Sequence, residues 1–295
     1  MSLFQEYTSS LKKIEVEEYF DLYFYRPLAF ILVKAIYNTT ITPNQLTVIS
    51  MVFGVIGGFF YLFGTHYSFV LAAVLILIYN VVDCSDGQLA RLKKNGTAVG
   101  RILDGIADYV VSFAAYLGIA LGFANNSSNP LLWWIITIAA GFSNALQSGF
   151  LDFYRNRYLD YVLNRVSVLD DGLKAFEIEF ERLKKVRGRY FDKAVIWIYL
   201  WYSTVQQKMT NPNSKQENIN HSVSAEDYSK KNRWLIRLWT FLGPTTQWTF
   251  LIVTSVLNCL DIYLLGILVG GNILAVILYT VQYKVDKSLL LKQST

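Results

Sequence analysis

The chain has 295 residues, is 53% hydrophobic and carries a formal net charge of +5, with a mean hydropathy of +0.31. The spacing of its charges excludes an ordinary soluble domain. No Asp, Glu, Lys or Arg occurs between Lys34 and Asp83 or between Asp108 and Asp152, and Asp261 alone interrupts the stretch from Arg237 to Lys284.

In chain order, residues 1–43 are predicted to form a cytoplasmic, interfacial unit. Within it, segment 14–37 sets Glu15, Glu17, Glu18 and Asp21 among Phe20, Leu22, Phe24, Leu28, Ile31 and Leu32. That mixture reads as an amphipathic helix lying at the membrane surface. It lacks the short charged start and apolar core of a signal peptide. Thr42-Pro43-Asn44 is a helix start, with Asn44 and Thr47 as candidate caps.

At roughly 20 apolar residues per crossing, the uncharged stretches predict spans near 45–64, 67–86, 100–123, 131–151, 240–259 and 262–282. The fold class is therefore an all-α integral membrane protein with six transmembrane helices. Residues 44–155 would hold the first four spans, and 237–295 the last two with a cytoplasmic tail. The turns at 64–67, 125–130 and 259–263 contain no Lys or Arg, whereas sixteen lie from Arg155 to Arg237. The positive-inside rule then puts both termini and the loop after Arg91 in the cytoplasm. The net charge reads as a topology and lipid-headgroup signal, and no nucleic-acid motif is present.

Residues 156–236 read as a helical cytoplasmic insert. Phe176–Lys185 alternates charged and apolar groups as an amphipathic helix does. Ala194–Tyr202 is aromatic and too short to span, and Thr210–Asn220 is a polar loop. Arg155 and Arg157 close the fourth span. They read either as positive-inside anchors or as ligands for an anionic acceptor or lipid headgroup. His66 and His221 have no partner signature, and Cys84 and Cys259 fall near opposite faces of the membrane.

The chemistry concentrates in 83–108. Asp83 and Asp86 are three apart and Asp104 and Asp108 four apart, so each pair shares a helix face. Four carboxylates beside hydrocarbon repel one another and are costly to desolvate unless something positive sits among them. Hard divalent cations, Mg²⁺ or Mn²⁺, suit such oxygen ligands. The order of acids does not fit an EF-hand loop.

The run Asp83-x2-Asp86-Gly87-x2-Ala90-Arg91-x8-Gly100-x3-Asp104-x3-Asp108 resembles the signature of the CDP-alcohol phosphotransferase family at every fixed position. The resemblance extends to Thr42–Thr47 but not obviously to 156–236. It implies six spans around a cavity open to the cytoplasm, a homodimer, and transfer of a phosphoryl-linked alcohol from a CDP conjugate to an acceptor hydroxyl, releasing CMP in phospholipid biosynthesis. The donor would be CDP-diacylglycerol or another CDP-alcohol, with a membrane lipid on one side of the reaction.

The resemblance also implies site residues. Asp83, Asp86 and Asp104 would hold two divalent ions. Asp108 would be the catalytic proton acceptor while also touching a metal. Gly87, Ala90, Arg91, Gly100, Asn44 and Thr47 would border the CDP moiety. Two other classes use intramembrane acids: a Mg-dependent prenyltransferase and a divalent-cation transporter. Six spans are few for the first, and the second would carry its acids near the bilayer midplane.

Overall fold

The computed structural model describes residues 3–11, 14–163 and 225–291, and scattered positions from 176 to 200. The expected loop at 210–220, and His221, lie outside the described residues, as does most of 194–202. The order is α1 (Leu3–Ser10), α2 (Arg26–Ile36), α3 (Pro43–Tyr61), α4 (His66–Lys93), α5 (Ala98–Asn125), α6 (Pro130–Leu163), α7 (Ala225–Trp239), α8 (Pro244–Val256), α9 (Leu260–Leu265) and α10 (Asn272–Leu291). Six-residue π-helical Gly266–Gly271 joins α9 to α10.

Helix starts follow local chemistry. Thr42 caps α3 through a reciprocal box with Gln45, with Pro43 at its first turn. Thr65 and Ser68 do the same for α4. Lys94, at φ 53°, ends α4 in the left-handed conformation.

Five helices are long and apolar enough to cross a membrane: Pro43–Tyr61, His66–Lys93, Val99–Asn125, Pro130–Val162 and the composite Leu260–Leu289. Several run past the expected span ends, so the motif acids sit on rigid helix rather than on a loop. The expected span 240–259 is different. Gly243, extended at ψ 157°, separates a 3₁₀ turn (Thr240–Leu242) from α8. The 13 residues of α8 rise about 20 Å, less than the ~30 Å hydrocarbon core.

Two apolar cores hold the bundle. One gathers Tyr61, Ile76, Tyr79, Val111, Ile119, Leu251 and Tyr263 between α3, α4, α5, α8 and α9. The other joins Leu151, Tyr158, Leu235, Trp239 and Leu278 from α6, α7 and α10, with Val16 from the N-terminal segment. Small residues bring α3 against α5, as is usual between membrane helices. A Cβ on Gly58 would lie 2.6 Å from the Ala114 carbonyl carbon and 2.8 Å from the Ala115 nitrogen. Backbone cannot swing aside, so Gly58→Leu should cost more than ~3 kcal/mol, the upper end of usual overpacking. Gly149→Ala meets nothing within 4 Å and should be tolerated. Gel filtration of the two variants checks this: loss of the monodisperse peak is expected for Gly58→Leu alone.

The N-terminal segment is helical from Tyr19 and leaves Phe20, Tyr23, Phe24 and Ile31 exposed on one side. The α-helix proper starts at Arg26, after the 3₁₀ turn Ile14–Val16 and π-helical Asp21–Tyr25. Glu17, Glu18, Asp21 and Arg26 are buried. They are buried because each finds a partner inside the bundle, and those partners belong to the site.

Candidate active site

The start of α3, the end of α4 and the start of α5 converge on a polar cavity of about 650 Å³. One carboxylate oxygen each from Asp83, Asp86 and Asp104 falls within 4.8 Å of the other two. The helix phase explains this: Asp83 and Asp86 share a face of α4, and Asp104 faces them from α5. Thr47 of α3 hydrogen-bonds Asp86 and fixes its rotamer. Asp83 Oδ1 is buried without a hydrogen-bond partner. Three converging hard oxygens, one of them unsatisfied, fit a divalent cation.

The glycines of the motif have steric reasons. The Arg91 guanidinium folds back over Gly87, 3.4 Å from where a Cβ would stand. The Asn44 side-chain oxygen Oδ1 would lie 2.6 Å from a Cβ on Gly100, so a side chain there would displace the Asn44 side chain from its place beside α5. Arg91 Nε donates to the Ser10 carbonyl of α1 at 2.5 Å, and Arg91 Nη2 is buried without a partner. Asn44, Thr47, Gly87, Ala90, Arg91 and Gly100 all line the cavity.

Asp108 lines the same cavity but is not one of the three carboxylates whose oxygens lie within 4.8 Å of one another. It accepts a 2.6 Å hydrogen bond from the Tyr79 hydroxyl. Tyr79 is itself buried, with its ring edge-on to Trp248 at 5.6 Å. Asp108, Asp152 and Pro244 also line a second cavity of about 580 Å³, which includes Ser112, Tyr116, Asn144 and Gln247. Asp108 thus sits where a carboxylate-rich chamber meets a more apolar one between α5, α6 and α8.

Arg155 lines the polar cavity, with Asp152 at 3.4 Å and Glu18 at 3.9 Å. Among the described residues Arg157 is not part of either cavity wall; it pairs with Asp286 of α10 at 2.9 Å. His66 bonds the Val256 carbonyl at the other end of the bundle. Both cysteines are free thiols.

The polar cavity also takes Glu17, Glu18, Asp21 and Arg26 from the N-terminal segment. The sequence reading did not place them there. Its available signal was a run of acids in a segment otherwise suited to hydrocarbon. Glu17 pairs with Arg26 at 3.1 Å. Glu18 accepts from the Thr246 amide at 2.8 Å and hydroxyl at 2.9 Å, and from the Thr245 amide at 3.4 Å. It therefore caps α8 from a distant part of the chain.

Burial, then the neighbouring charge of Asp21, pushes the Glu18 carboxyl up to about 7, against the opposing pull of Arg155 and the Thr246 bonds. Between the unfolded value of 4.5 and about 7 the folded protein holds more protons than the unfolded chain. Stability is then fully present below 4.5 and falls as pH rises to about 7. The change is on the order of 3 kcal/mol. Glu18→Gln should flatten this slope. Melting temperature from pH 4.5 to 7 checks it, and an unchanged slope in the variant would refute the assignment.

Residues 40–154 match the family model described as CDP-alcohol phosphatidyltransferase. A protein of Thermococcus kodakarensis described as "Bifunctional IPC transferase and DIPP synthase" is 28% identical over 120 residues, covering 40% of this chain and 26% of that protein. A protein of Aquifex aeolicus with the same description is 29% identical over 119 residues, with the same coverage. The chain therefore spans about a quarter of the length of these curated relatives.

Proposed function

We propose that this chain, whose residues 40–154 form a CDP-alcohol phosphatidyltransferase domain, transfers a phosphoryl-linked alcohol from a CDP conjugate to an acceptor hydroxyl and releases CMP. The observation that carries this reading is the convergence of Asp83, Asp86 and Asp104 beside Asp108 at the junction of two cavities. Asp83, Asp86 and Asp104 would hold two Mg²⁺ or Mn²⁺ ions, which when bound supply positive charge for the donor's pyrophosphate.

The chain's own groups do the rest. Asn44, Thr47, Gly87, Ala90 and Gly100 shape the CDP pocket, the two glycines leaving room for close approach. Arg91 binds a phosphate. Tyr79 holds Asp108 by its hydrogen bond, and Asp108 takes the proton from the acceptor hydroxyl. The acceptor oxygen–phosphorus bond forms as the phosphorus–oxygen bond to CMP breaks.

The same reading makes α8 the fifth of six crossings, shortened at its cytoplasmic end where Glu18 caps it. Residues 1–43, 44–155, 156–236 and 237–295 are then the functional units. The active site and both termini face the cytoplasm, and the enzyme works as a homodimer in phospholipid biosynthesis. Cysteine labelling at Asn95 and Asn126 from opposite sides tests the topology; labelling of both from one side would overturn it. The activity is tested with the full chain in vesicles, supplied with CDP-diacylglycerol or a water-soluble CDP-alcohol. CMP should appear with Mg²⁺ or Mn²⁺ and not in EDTA. Undiminished release in EDTA would remove the mechanism.

A further inference from the structure

Resting on that reading, we propose that the acceptor is an uncharged alcohol, and that Asp152 and Glu18 select it by disfavouring acceptors that carry a phosphate. The argument starts from the cations available near Asp108. A phosphomonoester acceptor needs uncompensated positive charge, which guanidinium groups supply best. Arg155 and Arg157 are the two arginines closing the fourth span, and both are committed. Arg157 is turned onto Asp286 at 2.9 Å. Arg155 is flanked by Asp152 at 3.4 Å and Glu18 at 3.9 Å.

The remaining neighbours make the balance negative. Over the whole cavity wall, Glu17, Glu18, Asp21, Asp83, Asp86, Asp104, Asp108 and Asp152 face Arg26, Arg91, Arg101 and Arg155, eight carboxyl groups to four guanidiniums, and Glu18, Asp21 and Asp152 are the ones that share the Arg155 side with Pro244 and Thr245. The N-terminus of α8 offsets only about half a charge. Asp21 already accepts from the Thr245 hydroxyl at 3.2 Å, so it stays in place. Arg26, the other cation of the N-terminal segment, is held by Glu17. Burial first, and the charge of Asp21 second, raise the proton affinity of the Glu18 carboxyl. A dianionic phosphate brought here meets repulsion from the buried Glu18 and Asp21 carboxyls and, more weakly, from the solvent-exposed Asp152.

A hydroxyl group faces no such cost. Arg155 Nε is buried without a partner, and one hydroxyl oxygen would satisfy that single donor. Asp108 would accept from the reacting hydroxyl. Two sources supply an uncharged alcohol: a soluble polyol paired with a lipid-linked donor, or a membrane alcohol entering from the second cavity. The chemistry at Arg155 is the same for both.

Two measurements on the full-length, Mg²⁺-loaded protein test the proposal. The first titrates melting temperature with glycerol 3-phosphate. Wild type should show no saturable shift, whereas Asp152→Asn, at an exposed carboxylate, and Glu18→Gln should gain one. The second follows CMP release in vesicles. One arm pairs CDP-diacylglycerol with glycerol or glycerol 3-phosphate. The other pairs a CDP-alcohol with monoacylglycerol or lysophosphatidate. In whichever arm turns over, the uncharged member should be favoured by roughly tenfold or more in kcat/KM, and Asp152→Asn should shrink that ratio. Preference for the phosphorylated member, or a saturable shift of the wild type, would overturn the proposal. Absence of CMP release in both arms counts against the transferase reading instead, and the melting titration then decides the acceptor question alone.

Discussion

Asp83→Asn, Asp86→Asn and Asp104→Asn should each lower CMP release by more than ~10³-fold, while the protein still folds. One oxygen from each side chain lies within 4.8 Å of the others, so the three act as one ligand set. A neutral amide keeps the shape and removes the charge that a divalent ion requires. Asp86→Asn should also loosen Thr47, whose hydroxyl is held by that carboxylate. Asp83→Asn should be benign for stability, because an oxygen buried without a partner costs folding free energy. Mn²⁺ titration followed by electron paramagnetic resonance, run beside melting curves, separates lost ligation from lost fold. Retained tight Mn²⁺ binding in all three variants would disprove the metal assignment.

Asp108→Asn should reduce kcat by about 10²–10⁴-fold, the usual worth of a general base, with the KM for the CDP donor little changed. The basis is its position: it is bonded to Tyr79 at 2.6 Å and stands at the entrance to the second cavity. Arg91→Ala should show the opposite pattern, a raised donor KM with a smaller loss of kcat, because it lines the donor cavity. Tyr79→Phe should resemble a mild Asp108→Asn: lower kcat, unchanged donor KM. Equal loss of donor affinity in Asp108→Asn and Arg91→Ala would make Asp108 a metal ligand and end its role as proton acceptor.

The four motif acids are legible in the sequence because helix spacing alone puts each pair on one face, and the charge-free flanks mark both helices as long and apolar enough to cross a membrane. The other three such helices are legible for the same reason. The expected span at 240–259 fares differently, since a hydropathy average over it does not register the break at Gly243-Pro244. The partners of the N-terminal acids are harder still to read. Glu17, Glu18 and Asp21 alternate with apolar groups as surface residues of an interfacial helix do. Only their pairing with Arg26, Thr245 and Thr246, more than 200 residues away for the threonines, turns them inward. Tyr79 is invisible for a similar reason: one aromatic residue in an apolar span carries no mark of the carboxylate it will meet.

The N-terminal segment also governs when the site comes into being during synthesis. Residues 14–25 leave the ribosome long before their partners, for Glu18 closes on Thr245 and Thr246, Tyr25 on Thr249, and Arg237 on the carbonyls of Ile14 and Glu17. The separations reach 228 residues. The acids of this segment must therefore stay solvated until Thr245 and Thr246 have been made. Ribosome-arrested chains ending before Thr245 would contain every motif aspartate and still have an open cavity. The wall of the cavity is thus closed by a contact between segments made far apart in time, and a chain arrested between them lacks it.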